Sequence, residues 1–310
     1  MSMALSEIAS GSMDIDGKTR LVGIVGYPLG HTLSPAMHNA AFAALGLNNV
    51  YVPVEIRPED FHSVVEDLAR AGFLGFNVTM PYKEDVLTHL DDVASYAQIA
   101  GAVNTVQCVD GRLVGYNTDG RGFIAAIEQD AGFEVKGSSA VVFGAGGAAC
   151  AAVLSLALAG AAAISIVNRD VERAERLAER VRQRFSSCDL RAMSPSEALA
   201  EAMSQATLLV NATPVGMKAS PGTPLDPALV SAEHLVVDMV YDPLETEFLA
   251  AARKKGARTM NGLGMLVYQA ASAFEIWTER EAPVDVMRKA AEAQIERLST
   301  ASVPSEVEIG

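Results

Sequence analysis

The chain has 310 residues, with 24 Lys and Arg against 38 Asp and Glu, and its net charge of −14 argues against a general nucleic-acid or anionic-membrane surface. Half of the residues are hydrophobic, which at this length suffices for two cores, and no uncharged apolar window is long enough to cross a bilayer. Cys108, Cys150 and Cys188 are odd in number, far apart and in no CxxC spacing, so neither a disulfide framework nor a metal centre is indicated and buried free thiols are expected.

Residues 1–18 lack the basic start and apolar stretch of a secretory signal, so a frayed lead-in and a cytoplasmic protein are expected. TRLVGIVGYPL (19–29) reads as a strand, and SPAMHNAAFAALGL (34–47) as a helix with Ser34 at its N-cap, Pro35 at its first position and Gly46 at its end. NNVYVPVEI (48–56) is a second strand, RPEDFHSVVEDLARAG (57–72) a second helix with acids in its first turn, and FLGFNVTM (73–80) a third strand. This order predicts a parallel sheet with covering helices. In the third strand Asn77 and Thr79 alternate with Phe76, Val78 and Met80, so the polar side chains share one face just before Pro81-Tyr82-Lys83. A pocket wall would need that pattern; an edge strand with a solvated face and a surface lysine would also produce it.

A helix around DDVASYAQIAG (91–101) leads to two short strands flanking Asp110-Gly111, a strong hairpin signal. From Gly122 an alanine-rich helix runs to a turn near Gly137. A second βα series follows: strand, glycine turn and helix over 139–160, then AISIVNR (163–169), DVERAERLAERVRQRF (170–185), ATLLVNAT (206–213), HLVVDMVYD (234–242) and TEFLAAARKKG (246–256). The fold class expected is therefore α/β in two domains. Residues 1–119 form an α/β substrate domain, 120–261 form a Rossmann-type dinucleotide domain, and helices in 262–310 return to the first domain. The tail at 299–310 is polar and expected to lack order.

GAGGAA (144–149) fits G-x-G-x-x-A between a strand and a helix. Gly144 would make the turn, Gly146 would let backbone approach a pyrophosphate, and Ala149 would let helix and strand pack closely. With Ala145, Gly147 and Ala148 the turn presents amides at a helix N-terminus. About 20 residues on, where an adenosine ribose would lie, the chain has Asn168, Arg169, Asp170 and Arg173. Arg169 and Arg173 could clamp a 2′-phosphate, while Asp170 would repel it or bind a ribose hydroxyl; a solvated charged helix explains Arg173 as well. NADP is favoured and NAD is left open.

GYPLGHTLSPAMHNAAF, GFNVTMPYKEDV, GAVNTV, GYNTDGRGF, VFGAGGAA, VNRD, NATPVGM, VVDMVYDP and NGLGMLVYQAA occur in order, and together they resemble the shikimate dehydrogenase family, including its quinate/shikimate dehydrogenase branch. The resemblance covers about 21–288. It implies a small-molecule enzyme with its active site between two α/β domains, reducing 3-dehydroshikimate to shikimate with NADPH on the route to chorismate and the aromatic amino acids. It also implies a role for each matched residue in this sequence. Lys83 and Asp119 are the catalytic pair. Thr32, Ser34 and Tyr241 hold the substrate carboxylate, Asn77, Thr79, Asn104 and Gln269 meet the ring hydroxyls, and Thr213, Met239 and Gly262 lie on the cofactor.

The chemistry is consistent with that reading. Hydride transfer at a carbinol carbon needs a proton to reach or leave its oxygen, which a lysine can supply. Lysine's ordinary pKa of about 10.4 would be lowered by burial and raised by an aspartate partner, and electrostatic stabilisation of the developing alkoxide is the alternative role. Singly, Ser34 is also a helix cap, Asn104 and Asp119 are also turn residues and Gln269 an exposed helix position. His31 and His38 read as turn and helix packing, and Cys150 as a small core residue. Thr32 stands where serine is commoner in the family, and Asp170 where NADP-using members have a small hydroxyl residue. Quinate oxidation with NAD and a non-catalytic sensor therefore stay as alternatives. A homodimer is left open.

Overall fold

A computed structural model describes residues 15–195 and 199–301 of the chain. The described residues divide into two compact units, one of residues 15–117 with 270–301 and one drawn from residues 118–269. The lead-in expected over 1–18 lies largely outside the described residues, as does the tail beyond 301; the helix Val284–Ala301 includes Ser299 and Thr300. No helix of the described residues is long and apolar enough to cross a membrane.

The first unit is built on a six-stranded sheet with order β2-β1-β3-β5-β6-β4: β1 is Arg20–Gly26, β2 Asn49–Glu55, β3 Phe73–Val78, β4 Asp92–Val93, β5 Thr105–Val109 and β6 Arg112–Tyr116. Strand β1 pairs in parallel with β2 and β3, as a strand-helix-strand series requires. The expected all-parallel sheet is mixed, however, because β5 runs antiparallel to β3 and turns back into β6. The turn holds Asp110 at φ 50° and Gly111 at φ 78°, the two left-handed residues that a tight hairpin demands. Strand β3 is interior, which excludes the edge-strand reading of residues 73–80. It ends at Val78, so Met80, expected on the apolar face, is 75% exposed beyond it.

The helices α1 (Ser34–Ala44), α2 (Phe61–Arg70) and α3 (Ser95–Ala100) alternate with these strands along the chain. Helix α1 starts one residue earlier than expected. Leu33 occupies the cap position with no side-chain hydrogen bond, and Ser34 is helical, so its hydroxyl is not used as a cap. The acids of residues 57–60 form a short 3-10 turn before α2. The C-terminal helix Val284–Ala301 belongs to this unit together with the second half of Leu263–Thr278. The indole of Trp277 donates to Val106 O at 2.9 Å and fills the space above Gly75, where a Cβ would overlap the ring.

His38 on α1 is fully buried, stacked at 4.3 Å on Tyr51, and neither ring nitrogen has a hydrogen-bond partner among the described residues. Burial pushes its pKa down to about 3. Below its ordinary value near 6.5 the unfolded chain takes a proton that the folded chain refuses, so stability is full above that pH and falls towards pH 3. Between pH 7.5 and 5 the loss should be about 2 kcal/mol, and His38→Phe should abolish this component; urea midpoints of both proteins at the two pH values test it.

The second unit opens with α4 (Asp119–Ala125), which continues as a π turn over Ala126–Asp130. Its sheet has order β12-β11-β10-β7-β8-β9, every pair parallel. Strands β7 (Ser139–Phe143), β8 (Ala163–Val167) and β9 (Asp189–Met193) run one way from the centre, and β10 (Leu208–Asn211), β11 (Leu235–Asp238) and β12 (Arg258–Met260) the other. This is the doubly wound dinucleotide-binding order, with its switch point between β7 and β10. Strands β9 and β12 and the helix α7 (Leu199–Gln205) were not expected: Asp189, Arg191 and Arg258 break the apolar pattern because β9 and β12 are the sheet edges. Between them lie α5 (Gly147–Leu158), α6 (Val171–Arg182) and α8 (Glu247–Lys254). Of the three cysteines only Cys188 is buried; Cys108 and Cys150 are half-buried, which corrects the expectation of three buried thiols.

Candidate functional site

In the first unit, the C-terminal ends of β1 and β3 and the start of β5 gather most of the predicted polar residues. Beyond β1 the chain turns so that Thr32 N donates to Leu29 O at 3.1 Å and Ser34 N donates to Thr32 Oγ1 at 3.3 Å. Ser34 is buried, and a hydrogen bond from its side chain opposes the burial that raises the Tyr51 phenol well above its ordinary pKa. Tyr51 Oη donates to Asn77 Oδ1 at 2.6 Å, and Asn77 Nδ2 donates to Asn104 O and Thr105 Oγ1, each at 3.1 Å. Because Asn104 O can only accept, the Asn77 amide orientation is set, and Oδ1 keeps a lone pair for another donor. Thr79 N donates to Val25 O at 2.9 Å just past the strand, and Tyr82 N donates to Thr79 O at 3.0 Å. That turn carries the half-buried Lys83, whose carbonyl accepts from Val103 N at 2.7 Å. Tyr51 and Thr105 were missed in the sequence. The sign of Tyr51 was its inward position in β2, two residues after buried Asn49.

In the second unit, Gly144 lies at φ 112° against Ala212 O, a conformation and a contact that both call for glycine. Gly146 caps α5, Gly147 and Ala148 are exposed in its first turn, and Ala149 is fully buried against the sheet. A Cβ on Gly147 would meet nothing, so the turn leaves open backbone at a helix N-terminus, which fits a dinucleotide pyrophosphate. Arg173 is exposed, and its Nε donates to Ala145 O at 2.9 Å, so this arginine of the charged helix also reaches back to the glycine turn. Asp170 has a role not anticipated: it is the N-cap of α6, its Oδ1 accepting from Arg173 N at 3.0 Å. Asn168 Nδ2 donates to Asp170 O at 2.8 Å, and Arg169 is exposed beside them.

Asp119 is the first residue of α4, so it is helical rather than a turn residue. Gln269 is half-buried, its Oε1 accepting from Thr118 Oγ1 at 3.5 Å and its Nε2 donating to Leu266 O at 2.9 Å. Gly122 allows this approach, since a Cβ there would overlap the Gln269 backbone. Thr213, Met239, Tyr241 and Gly262 follow β10, β11 and β12; a Cβ on Gly262 would overlap Met239 O, so the two segments touch through backbone. Burial, and then Asp242, raise the pKa of Tyr241.

Three family descriptions match the chain: "Shikimate dehydrogenase substrate binding domain" over residues 24–106, "Shikimate / quinate 5-dehydrogenase" over 126–217, and "Shikimate 5'-dehydrogenase C-terminal domain" over 262–292. A shikimate dehydrogenase (NADP(+)) of Geobacter metallireducens is 47% identical over 286 residues, spanning 92% of this chain and 100% of the relative. A shikimate 5-dehydrogenase from Listeria monocytogenes, solved with shikimate and NAD, superimposes with a TM-score of 0.85 at 38% identity, covering 89% of this chain and 97% of that one. A quinate dehydrogenase from Corynebacterium glutamicum, solved with NAD, gives 0.83 at 34% identity, with 89% and 99% covered.

Proposed function

The chain belongs to the shikimate dehydrogenase family, and from that premise we propose that it catalyses the reversible NADPH-dependent reduction of 3-dehydroshikimate to shikimate, in the cytoplasm. The observation that carries the reading is the pairing of two built sites in one chain. One is the polar cluster of Ser34, Asn77 and Asn104 at strand ends; the other is a glycine turn at the switch-point helix of a doubly wound sheet.

Thr32, Ser34 and Tyr241 are assigned to the carboxylate, as hydroxyl donors that need no buried cation. Asn77, with its free Oδ1 lone pair, accepts from a ring hydroxyl, and Thr79, Asn104 and Gln269 match the others. Lys83 is assigned the proton: its ammonium donates to the ketone oxygen as the carbon receives hydride, and takes the proton back in the oxidative direction. Asp119 orients that ammonium. The nicotinamide cofactor supplies the hydride, and Gly144–Ala148 with Asn168, Arg169, Asp170, Arg173, Thr213, Met239 and Gly262 bind it.

The test is initial rates on the purified protein with shikimate and quinate, each offered with NADP and with NAD. Turnover concentrated on shikimate with NADP supports the reading; no turnover in any combination overturns it. One observation favours a second reading, NAD-linked quinate or shikimate oxidation: Asp170 caps with Oδ1 alone, leaving Oδ2 to a ribose diol. Arg169→Ala separates the two. A lost charge-assisted contact to the 2′-phosphate should weaken NADP roughly tenfold to a hundredfold and leave NAD unchanged, whereas equal effects on both would remove Arg169 from the phosphate site.

A further inference from the structure

Asp238, the last residue of β11, is a fully buried carboxylate with no cation bonded to it among the described residues. It accepts three hydrogen bonds, one from the end of β10 and two from the segment after β11: Asn211 Nδ2 at 2.9 Å to Oδ1, Val240 N at 3.1 Å to Oδ1, and Thr246 Oγ1 at 2.7 Å to Oδ2. Each partner continues the network. Asn211 Oδ1 accepts from Thr213 N at 3.1 Å and from Thr213 Oγ1 at 2.7 Å, and Asn211 Nδ2 also donates to Val215 O at 2.8 Å. Thr246 caps α8 by accepting from Leu249 N at 3.3 Å. Gly216, at φ 106°, closes over Oδ2, and a Cβ there would stand 3.4 Å from it.

The two loops joined through this carboxylate are 212–216 after β10 and 239–246 after β11. Both leave the C-terminal ends of parallel strands on the second half of the doubly wound sheet, the β10-β11-β12 side of the switch point. A dinucleotide lies across that switch point with one mononucleotide on each half, and the glycine turn after β7 takes the pyrophosphate. With Arg169, Asp170 and Arg173 on the β8 side, the adenosine half is accounted for, so the loops after β10 and β11 face the nicotinamide half.

We propose that Asp238 is a positioning residue for the nicotinamide half of the cofactor site, its carboxylate setting the spacing of the 212–216 and 239–246 loops. The inference rests on the dinucleotide reading of residues 118–269. A carboxylate suits the task because it only accepts, so three donors from the ends of two neighbouring strands can converge on two oxygens. Burial raises the pKa of Asp238, while the Thr246, Val240 and Asn211 bonds pull it back down, so these donors compensate a desolvated group.

The test compares two ligands that share the adenosine, 2′-phosphate and pyrophosphate groups: NADP+ and 2′-phospho-ADP-ribose, which lacks nicotinamide. Their affinities are measured by calorimetry on wild type, Asp238→Ala and Asp238→Asn. Asp238→Ala should weaken NADP+ about tenfold or more, because three buried donors lose their acceptor. Its affinity for 2′-phospho-ADP-ribose should stay within about twofold. Asp238→Asn should recover most of the loss, since its amide oxygen still accepts from Asn211 and Val240 and its NH2 can donate to Thr246 Oγ1. If Asp238→Ala does not fold, Asn211→Ala carries the same comparison, as it cuts the 212–216 loop from the carboxylate and leaves the Val240 and Thr246 bonds. Equal weakening of both ligands, or unchanged NADP+ binding, would overturn the inference. A wild-type protein that binds neither ligand would instead overturn the dinucleotide reading.

Discussion

Lys83→Ala should lower kcat by roughly a thousandfold, within the 10²–10⁴ range expected for loss of a positioned acid-base group, with NADP affinity unchanged. The separation is expected because Lys83 lies on the turn after β3 in the first unit, whereas the glycine turn lies in the second. Lys83→Arg distinguishes the two roles open to the side chain. An arginine keeps the positive charge but does not release a proton near neutrality, so it retains a large part of the rate only if charge stabilisation dominates. Steady-state rates followed by cofactor absorbance, with calorimetric NADP titrations of both variants, measure this. An Ala variant with the wild-type rate would strip Lys83 of any chemical role.

Trp277→Ala should destabilise the first unit by about 3–5 kcal/mol, the range for truncating a large buried aromatic. The indole is 6% exposed and fills the space that Gly75 leaves above β3, and its Nε1 bonds Val106 O on β5. It also lies 5.4 Å from the His38 ring and 6.2 Å from Tyr51, so the cavity opens beside the residue whose hydroxyl donates to Asn77. A raised KM for shikimate should therefore accompany the fall in the urea midpoint. A stability loss below about 1 kcal/mol would mean that the second half of the helix Leu263–Thr278 is not integral to this unit.

Much of this protein was legible as sequence. The parallel strands β1, β2 and β3, the Asp110-Gly111 hairpin and the strand-glycine-helix unit at 139–158 follow from apolar period, turn chemistry and small-residue spacing, all of which act over a few residues. So do the residues of the nine ordered motifs, which name a family before any contact is known. The local rules failed where edges and long-range partners took over. Strands β9 and β12 were missed because edge positions tolerate Asp189, Arg191 and Arg258, and Ser34 was given a cap because the serine-proline signal does not report the backbone of Leu33.

What only the tertiary structure decided is which polar groups meet. Tyr51 reaches Asn77 because β2 and β3 flank β1, and Asn77 reaches Asn104 because the chain reverses into β5. Asp238 joins Asn211 and Thr246 because β10 and β11 pair with Asn211 opposite Asp238. Such bonds span from 8 to 27 residues, and their geometry depends on strand order and register, to which a single side chain contributes no local signal. Sequence thus determined the elements and the chemical types at their ends, while the packing of the sheets determined which of those groups hold one another in place.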